Sequence, residues 1–158
     1  MTLAENLKAA MIAAMRSQDA FRRDTLRMVV AAAYNAEKAA RRPLTDDEVI
    51  GVLTREVRQR RESIEAFGKA GRTELAAKEA AEVEVIAGFL PQPLSEDDLR
   101  ALVAAAVDEI GATSARDLGK VMALLSPRTR GRAEGRVVSG LVASELVRRD
   151  LADHGHGG

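Results

Sequence analysis

Four arginines and a single carboxylate lie in the segment that joins the last two predicted helices: Arg128, Arg130, Arg132, Arg136 and Glu134. Gly131 and Gly135 separate them, and glycine lets a backbone approach a ligand closely. Guanidinium groups form paired hydrogen bonds with phosphate, and Lys120 adds a cation on the preceding helix. This segment, residues 128–136, is called the arginine turn. It is a candidate site for a polyanion such as a phosphate backbone, and an ordinary solvated loop is the alternative.

A second group of arginines lies on the third predicted helix. Arg55, Arg58 and Arg61 fall outside its apolar stripe, and the same pattern places Arg60 on the polar face. Charges at such spacings usually form a solvated face, here neutralised by glutamates of the same helix or of the acidic fourth helix. These arginines are a weaker second candidate surface for a polyanion.

Residue types that could carry catalysis are scarce. The chain has no cysteine, and His154 and His156 lie in a glycine-rich terminal tail that offers no support for a general base or a metal ligand. The chain contains no nucleophile elbow, Walker loop or dinucleotide fingerprint. Magnesium at Asp46, Asp47 and Glu48 is conceivable, but a capped helix start explains these residues better. We therefore predict no catalytic residue, no metal site and no cofactor.

Composition limits the partners of the chain. The 24 basic and 24 acidic side chains cancel, and neither side of Gln92 is a basic arm. Aromatic residues make up only 3% of the chain, so contact with a nucleic-acid backbone or with its shape is favoured over base stacking. We find neither the apolar run of a signal peptide nor a stretch long enough to span a bilayer. The sequence predicts a cytoplasmic protein with no membrane partner and no DNA partner.

Apolar residues recur every three or four positions along most of the chain, which predicts an all-α protein without strands. The first half contains four predicted helices: from about 3 to 17, from Phe21 to before Pro43, from Thr45 to Gly71, and from Leu75 to Leu90. Thr2 with Glu5, and Thr45 with Glu48, have the capping-box spacing. The prolines of residues 90–93, LPQP, end the fourth helix and predict a domain boundary.

The second half of the chain contains three shorter predicted helices: from Ser95 to Gly111, from Ser114 to before Pro127, and from Val137 to about Arg149. Glycine at position 111 is the expected left-handed helix stop. The predicted organisation is therefore a four-helix domain over residues 1–92, a three-helix domain over residues 93–149, and a disordered tail over residues 150–158.

The chain resembles the YqeY family of small bacterial proteins in five sequence blocks: TLRMVVAAAYNAE, LTDDEVIGVLTREVRQRRESIEAFGKAGR, FLPQPLSEDDL, GATSARDLGKVM and RGRAEGRVVSGLV. The blocks occur in order between about Leu3 and Leu146. Around the arginine turn the match covers nine residues: Gly119, Lys120, Val121, Met122, Gly131, Arg132, Ala133, Gly135 and Arg136. Glu134 replaces a more usual aspartate, and arginines in residues 128–132 replace lysines, so the charges are kept.

This resemblance implies a four-helix N-terminal unit and a three-helix C-terminal unit similar to the tail domain of GatB. GatB is a subunit of the glutamine-dependent amidotransferase that acts on mischarged glutamyl- or aspartyl-tRNA, and its tail helps to hold the tRNA. The family is often labelled a carbon-nitrogen ligase with glutamine as amido donor, a label that descends from the shared tail. The resemblance thus implies tRNA as a partner, together with a tRNA-charging or amidotransferase enzyme.

The sequence leads to three hypotheses. The first is a non-catalytic tRNA-binding accessory protein that contacts phosphates through Lys120 and the arginine turn, with Arg55, Arg58 and Arg61 as a second surface. The second is a carbon-nitrogen ligase activity of the chain itself. The third is a protein-interaction module whose charged surfaces bind an acidic partner without RNA.

Overall fold

The structure, a computed structural model, describes residues 1–155. Within this range the chain forms seven α-helices and one short 3-10 turn, and no β-strand, so the all-α prediction is confirmed. The described chain divides into two compact units, of which the first ends at Pro91 and the second begins at Gln92. The predicted boundary lies one residue further along the chain.

The first unit consists of four helices: α1 (Leu3–Arg16), α2 (Ala20–Ala40), α3 (Asp46–Lys69) and α4 (Thr73–Ala87). The helices pack mainly as two pairs, α1 along α2 and α3 along α4. Apolar side chains from all four helices form one core: Leu7, Leu26, Val29, Val49, Leu53, Val57 and Ile86. Burial of these stripes, rather than helix propensity alone, stabilises the unit.

Three of the four helices of the first unit, α1, α2 and α3, begin with a side-chain cap. Both predicted capping boxes form: Thr2 with Glu5, and Thr45 with Glu48. Asp46 also reaches another helix, since its Oδ1 accepts a hydrogen bond of 2.9 Å from the backbone amide of Leu3. The first turn of α3 therefore caps the first turn of α1, which leaves Asp46 with a structural role.

The second unit consists of three helices and a 3-10 turn: α5 (Glu96–Ile110), the turn Ala115–Asp117, α6 (Leu118–Thr129) and α7 (Gly135–His154). Each helix packs against the other two. The core is built mainly from leucine and valine: Leu99, Val103, Val107, Val121, Leu125, Val138, Val142 and Leu146. Gly111 ends α5 with a φ of +69°, which confirms the predicted glycine stop.

The predicted end of the sixth helix before Pro127 is wrong, because α6 continues to Thr129. Proline removes one backbone donor, but only two residues of α6 follow it. The last turn is held by bonds that do not need the proline nitrogen. Thr129 Oγ1 donates to the carbonyl oxygen of Leu125 at 3.1 Å, and the amide of Arg130 donates to Ser126 at 3.1 Å.

The predicted disordered tail over residues 150–158 is wrong for residues 150–154, because α7 runs to His154. Contacts at i, i+4 spacing extend along the end of this helix: an ion pair between Glu145 and Arg149 at 2.9 Å, and a contact of 3.3 Å between Asp150 and the imidazole of His154. Such pairs stabilise a helix surface. They account for helical structure past the predicted end near Arg149.

Candidate nucleic-acid interface

The arginine turn begins and ends inside helices. Arg128 belongs to the last turn of α6, and Arg130 is its C-cap residue. Gly135 and Arg136 form the start of α7, two residues before the predicted start at Val137. Only residues 130–134 lie outside both helices, so two of the four cations stand on regular helical backbone.

The backbone of the turn is tight and depends on one glycine. Gly131 has a φ of +75°, a left-handed conformation that glycine adopts without steric cost. Immediately after it, the amides of Arg132 and Ala133 donate to the carbonyl oxygen of Thr129 at 2.9 and 3.1 Å. Gly135 does not have a positive φ, and a Cβ placed there would meet nothing within 4 Å. The space beside Gly135 is therefore open to a ligand.

Arg132 connects the turn to the first residues of the second unit. Its Nε donates a hydrogen bond of 3.1 Å to the carbonyl oxygen of Gln92, and its own carbonyl oxygen accepts from the amide of Leu94 at 2.9 Å. Guanidinium has five N–H donors, of which this contact uses one. Arg132 thus positions the turn and is the least free of the four arginines to bind a ligand.

The remaining arginines are weakly neutralised. Arg128 lies 3.2 Å from a carboxylate oxygen of Glu109 on α5, and both side chains are about half exposed. Arg136 is 91% exposed, and its Nη2 lies 3.7 Å from a carboxylate oxygen of Glu134. Among residues 1–155, the exposed side chain of Arg130 has neither an ion pair nor a hydrogen bond. The prediction of one local carboxylate missed Glu109, which is distant in sequence.

Lys120 extends the positive surface along α6. It is exposed and lies eight residues before Arg128, which corresponds to about 12 Å along a helix axis. Asp117, three residues earlier, balances part of this charge. The pKa of Asp117 is lowered mainly by a hydrogen bond from the amide of Thr113, with a smaller contribution from the charge of Lys120.

The start of α7 adds backbone donors to the turn. Within the described chain, no side-chain hydrogen bond caps this helix from its N-cap residue, Glu134. The first amides of a helix point outward and carry partial positive charge, which favours phosphate or other anions. The open amides and the side chain of Arg136 therefore present donors at one end of the turn.

The second candidate surface keeps three of its arginines and loses one. Arg55, Arg58 and Arg61 are exposed on α3, in the first unit, whereas the arginine turn belongs to the second unit. Arg60, placed on the polar face by its sequence, is buried instead and makes ion pairs with Glu56 and Glu82. It belongs to the interior of the first unit rather than to a ligand surface.

The burial of the ion pairs of Arg60, here called the Arg60 network, was not predicted from the sequence. Arg60 Nε lies 2.8 Å from a carboxylate oxygen of Glu82 on α4. Its Nη1 lies 2.7 Å from a carboxylate oxygen of Glu56, which is on α3 like Arg60 itself. The side chains of Arg60 and Glu82 are only 8% and 7% exposed. Burial acts to lower the pKa of Arg60, but the hydrogen bonds that its guanidinium donates to Glu56 and Glu82 outweigh it and raise that pKa. The expected pairing between helix four and helix three thus occurs, inside the unit.

Three of the residues considered for catalysis or metal binding, Asp46, Glu48 and His154, have structural contacts. His154 lies on the last turn of α7, 81% exposed and paired with Asp150, while His156 lies outside the described residues. Asp46 and Glu48 form helix caps. Within residues 1–155, no three side chains of the metal-binding types come together as a possible site.

Comparison with known protein families identifies the family of the chain. A model of the family described as Yqey-like protein matches residues 4–146. The match includes the arginine turn, most of α1 and α7, and all five helices between them. The chain belongs to the YqeY family. The predicted resemblance is therefore confirmed over nearly the whole described chain.

Curated fungal proteins are similar to this YqeY-family chain. Two are named Altered inheritance of mitochondria protein 41, mitochondrial. The protein from Pyrenophora tritici-repentis is 30% identical over 129 residues, which cover 80% of this chain and 71% of the relative. The protein from Eremothecium gossypii is 34% identical over 128 residues, or 78% and 68% of the two chains. An uncharacterised protein of Schizosaccharomyces pombe is 29% identical over 89 residues, or 56% and 72%.

A bacterial source, which the resemblance to the YqeY family implies, stays a prediction, since these three relatives are fungal. None of the helices within residues 1–155 combines the length and the apolar character needed to cross a membrane.

Proposed function

We propose that this YqeY-family chain is a non-catalytic accessory protein that binds tRNA through the arginine turn. The observation that carries the proposal is the state of Arg130 and Arg136. Both side chains are exposed. Within the described chain Arg130 forms no ion pair, and Arg136 has one carboxylate near it, that of Glu134 at 3.7 Å. These guanidiniums can pair with phosphate without breaking a buried contact.

The existing ion pairs of the turn are weak competitors for a phosphate. Exposed ion pairs contribute about 0–1 kcal/mol, because water and salt screen both charges. The pair of Arg128 with Glu109 is exposed on both sides, so a phosphate that displaces Glu109 costs little. Hydrogen bonds from guanidinium to phosphate are charge-assisted and often doubled, which favours the exchange.

The dimensions of the surface favour a chain of phosphates over a single phosphate group. Lys120 lies about 12 Å along α6 from Arg128. The phosphates of one strand of B-form DNA rise about 3.4 Å along the helix axis per nucleotide, and on this scale a run of several nucleotides spans the distance. A mononucleotide does not. A folded RNA with exposed backbone therefore matches the spacing of the cations.

The experiment is a salt titration of tRNA binding by the full chain. Each duplex phosphate contact changes the logarithm of affinity by about 0.9 per decade of salt, so replacing Arg130 and Arg136 with alanine should reduce the slope by about 1.8. Arg100→Ala is the matched control, since Arg100 is exposed on α5 and paired with Glu96 at 2.7 Å. It should leave the slope unchanged. No binding of bulk tRNA at low salt, or equal slopes for all three proteins, contradicts the proposal.

Two alternative functions give different results in direct assays. If the purified chain forms amidated product from glutamine, ATP and glutamyl-tRNA, it is a carbon-nitrogen ligase, and the non-catalytic assignment fails. If a protein partner stays bound after nuclease treatment and in high salt, the charged surfaces serve protein interaction.

The location and the partner enzyme are part of the same proposal. We place the chain in the cytoplasm, beside a tRNA-charging or amidotransferase enzyme whose tRNA it helps to hold. Two of the fungal relatives are named as mitochondrial proteins, so the location is the part of this proposal that differs from their names. Crosslinking in cells, followed by sequencing of the attached RNA, identifies the bound tRNA and tests the location through its source.

A further inference from the structure

The first unit has an open apolar groove between α1 and α2, with a volume of about 680 Å³. Met11, Met15, Val30, Tyr34 and Leu44 contribute to its lining. Tyr34 is 60% exposed and Met15 is 48% exposed, although both are large apolar side chains. A concave apolar surface of this size is typical of binding sites.

Four charged side chains lie around this α1–α2 groove, and within residues 1–155 only the two carboxylates among them form hydrogen bonds. Glu5 accepts a hydrogen bond of 3.0 Å from the amide of Thr2, and Glu37 accepts one of 3.3 Å from the amide of Leu44. Both carboxylates are therefore held by backbone at helix ends.

The two cations of the groove, Lys8 and Arg27, are exposed. Within residues 1–155 neither forms an ion pair or a hydrogen bond through its side chain. The carboxylate nearest to Arg27 in sequence, Asp24, forms its ion pair with Arg23 at 2.8 Å; the hydrogen bond from Arg23 is the main cause of its lowered pKa, and the charge of Arg27 contributes least. The groove thus combines an apolar floor with two available positive charges.

We propose that the α1–α2 groove binds an amphipathic helix of another protein, whose apolar stripe is flanked by carboxylates. Helices bind such grooves through apolar residues at i, i+3, i+4 and i+7, and these would lie against Met11, Met15 and Tyr34. Methionine adapts its shape to a partner side chain. Acidic residues beside the stripe would pair with Lys8 and Arg27. This site lies in the first unit and does not depend on RNA binding by the arginine turn.

The chain provides its own reporter for this site. Tyr34 is the only tyrosine, and there is no tryptophan, so intrinsic fluorescence excited at the tyrosine band comes from the groove. The probe is a synthetic peptide of about 18 residues, free of aromatic residues, with leucines in a helical stripe and glutamates on either side. Its addition to the full chain should change the Tyr34 emission in a saturable manner.

Two exposed apolar residues of α1 provide a matched pair of variants. Met15→Glu places a carboxylate in the groove and should weaken peptide binding at least about tenfold, because an unpaired charge in an apolar contact is costly. Ile12→Glu changes a side chain that is 42% exposed on the same helix but outside the groove lining. It should change the affinity by less than about twofold.

A charge exchange tests the flanking contacts. The double variant with Lys8→Glu and Arg27→Glu should bind the glutamate-flanked peptide more weakly and a lysine-flanked version more tightly, since the charge preference is reversed. The double variant should retain the circular dichroism spectrum of the wild type.

Four results would overturn the proposal. The first is an unchanged Tyr34 emission up to about 1 mM peptide, the weak limit for a specific contact. The second is equal weakening by Met15→Glu and Ile12→Glu, and the third is equal binding of both peptides to the wild type. The fourth is a concentration-dependent dimer that Met15→Glu dissociates and the peptide cannot disrupt, because a second copy would then occupy the groove.

Discussion

Removing the carboxylate of Glu82 should strongly destabilise the first unit. Arg60 is buried between α3 and α4, and Glu82 provides one of its two anionic partners, at 2.8 Å. Glu82→Ala leaves the guanidinium with Glu56 alone, at 2.7 Å. The charge of Arg60 is retained, because an arginine side chain is not deprotonated in proteins.

The expected loss follows from the burial of the pair. Breaking a buried ion pair by removing one partner costs about 3–5 kcal/mol, and the remaining contact with Glu56 favours the lower value. For a unit of this length, 1 kcal/mol shifts the melting temperature by roughly 4–8 °C. We therefore expect Glu82→Ala to lower the melting temperature of the first unit by about 12 °C or more.

Tyr34 emission follows the unfolding of the first unit within the full chain, because the second unit contains no tyrosine or tryptophan. Glu65→Ala is the matched control. Its carboxylate forms an i, i+4 pair with Lys69 on the same helix as Arg60, but the two side chains are 70% and 77% exposed. Its loss should cost less than about 1 kcal/mol.

A melting temperature of Glu82→Ala equal to that of Glu65→Ala would refute this account of the network. A second variant separates loss of charge pairing from loss of packing. Arg60→Met combined with Glu56→Gln and Glu82→Leu removes all three charges of the network and keeps side-chain volume, so it should be more stable than Glu82→Ala alone. If the triple variant is the less stable protein, packing rather than charge explains the cost.

Two further predictions concern the second unit. Hydrogen bonds from Arg148 and Arg149 hold the pKa of Glu145 at about 2, below its ordinary value of 4.5, so the contribution of Glu145 to stability is present above about pH 4.5 and is lost as the pH falls toward 2. Glu145→Gln should therefore lower the melting temperature, followed by circular dichroism, at pH 7 and match the wild type near pH 2. An equal difference in melting temperature at both pH values would contradict this. Gly131→Ala should destabilise the second unit by about 1–2 kcal/mol in urea unfolding, because Gly131 has a positive φ. Gly135→Ala is the control and should not destabilise the unit, since Gly135 is helical and a Cβ there meets open space. Equal losses of stability in the two variants would contradict the backbone explanation.

The parts of the fold set by local chemistry could be predicted from the sequence. The capping box at Thr45 and the glycine stop at Gly111 depend on neighbouring residues only, and both occur as predicted. The end of α6 could not be predicted from Pro127 alone, because bonds from Thr129 and Arg130 hold the last turn beyond it. The extension of α7 past Arg149 could not be predicted either, because each surface contact at i, i+4 spacing stabilises a helix by only about 0.2–0.5 kcal/mol.

The candidate site was predictable in position but not in detail. The density of arginines located the turn, whereas the pairing of Arg128 with Glu109 joins residues on different helices. Arg60 could have been recognised, because it continues the buried stripe of Leu53 and Val57 at helical spacing. Its charge favoured the polar face in the sequence, and only the position of Glu82 on α4 makes its burial favourable.

The contacts of Arg132 determine where the second unit can be cut from the chain. The unit begins at Gln92, whose carbonyl oxygen binds the Arg132 guanidinium, and Leu94 donates to the Arg132 carbonyl oxygen. A fragment that starts at Ser95 would delete both anchors, although it would contain every helix of the unit. Expression of the second unit alone, or its fusion behind another enzyme, therefore requires residues 92–94, which contain Pro93, as part of the folded domain.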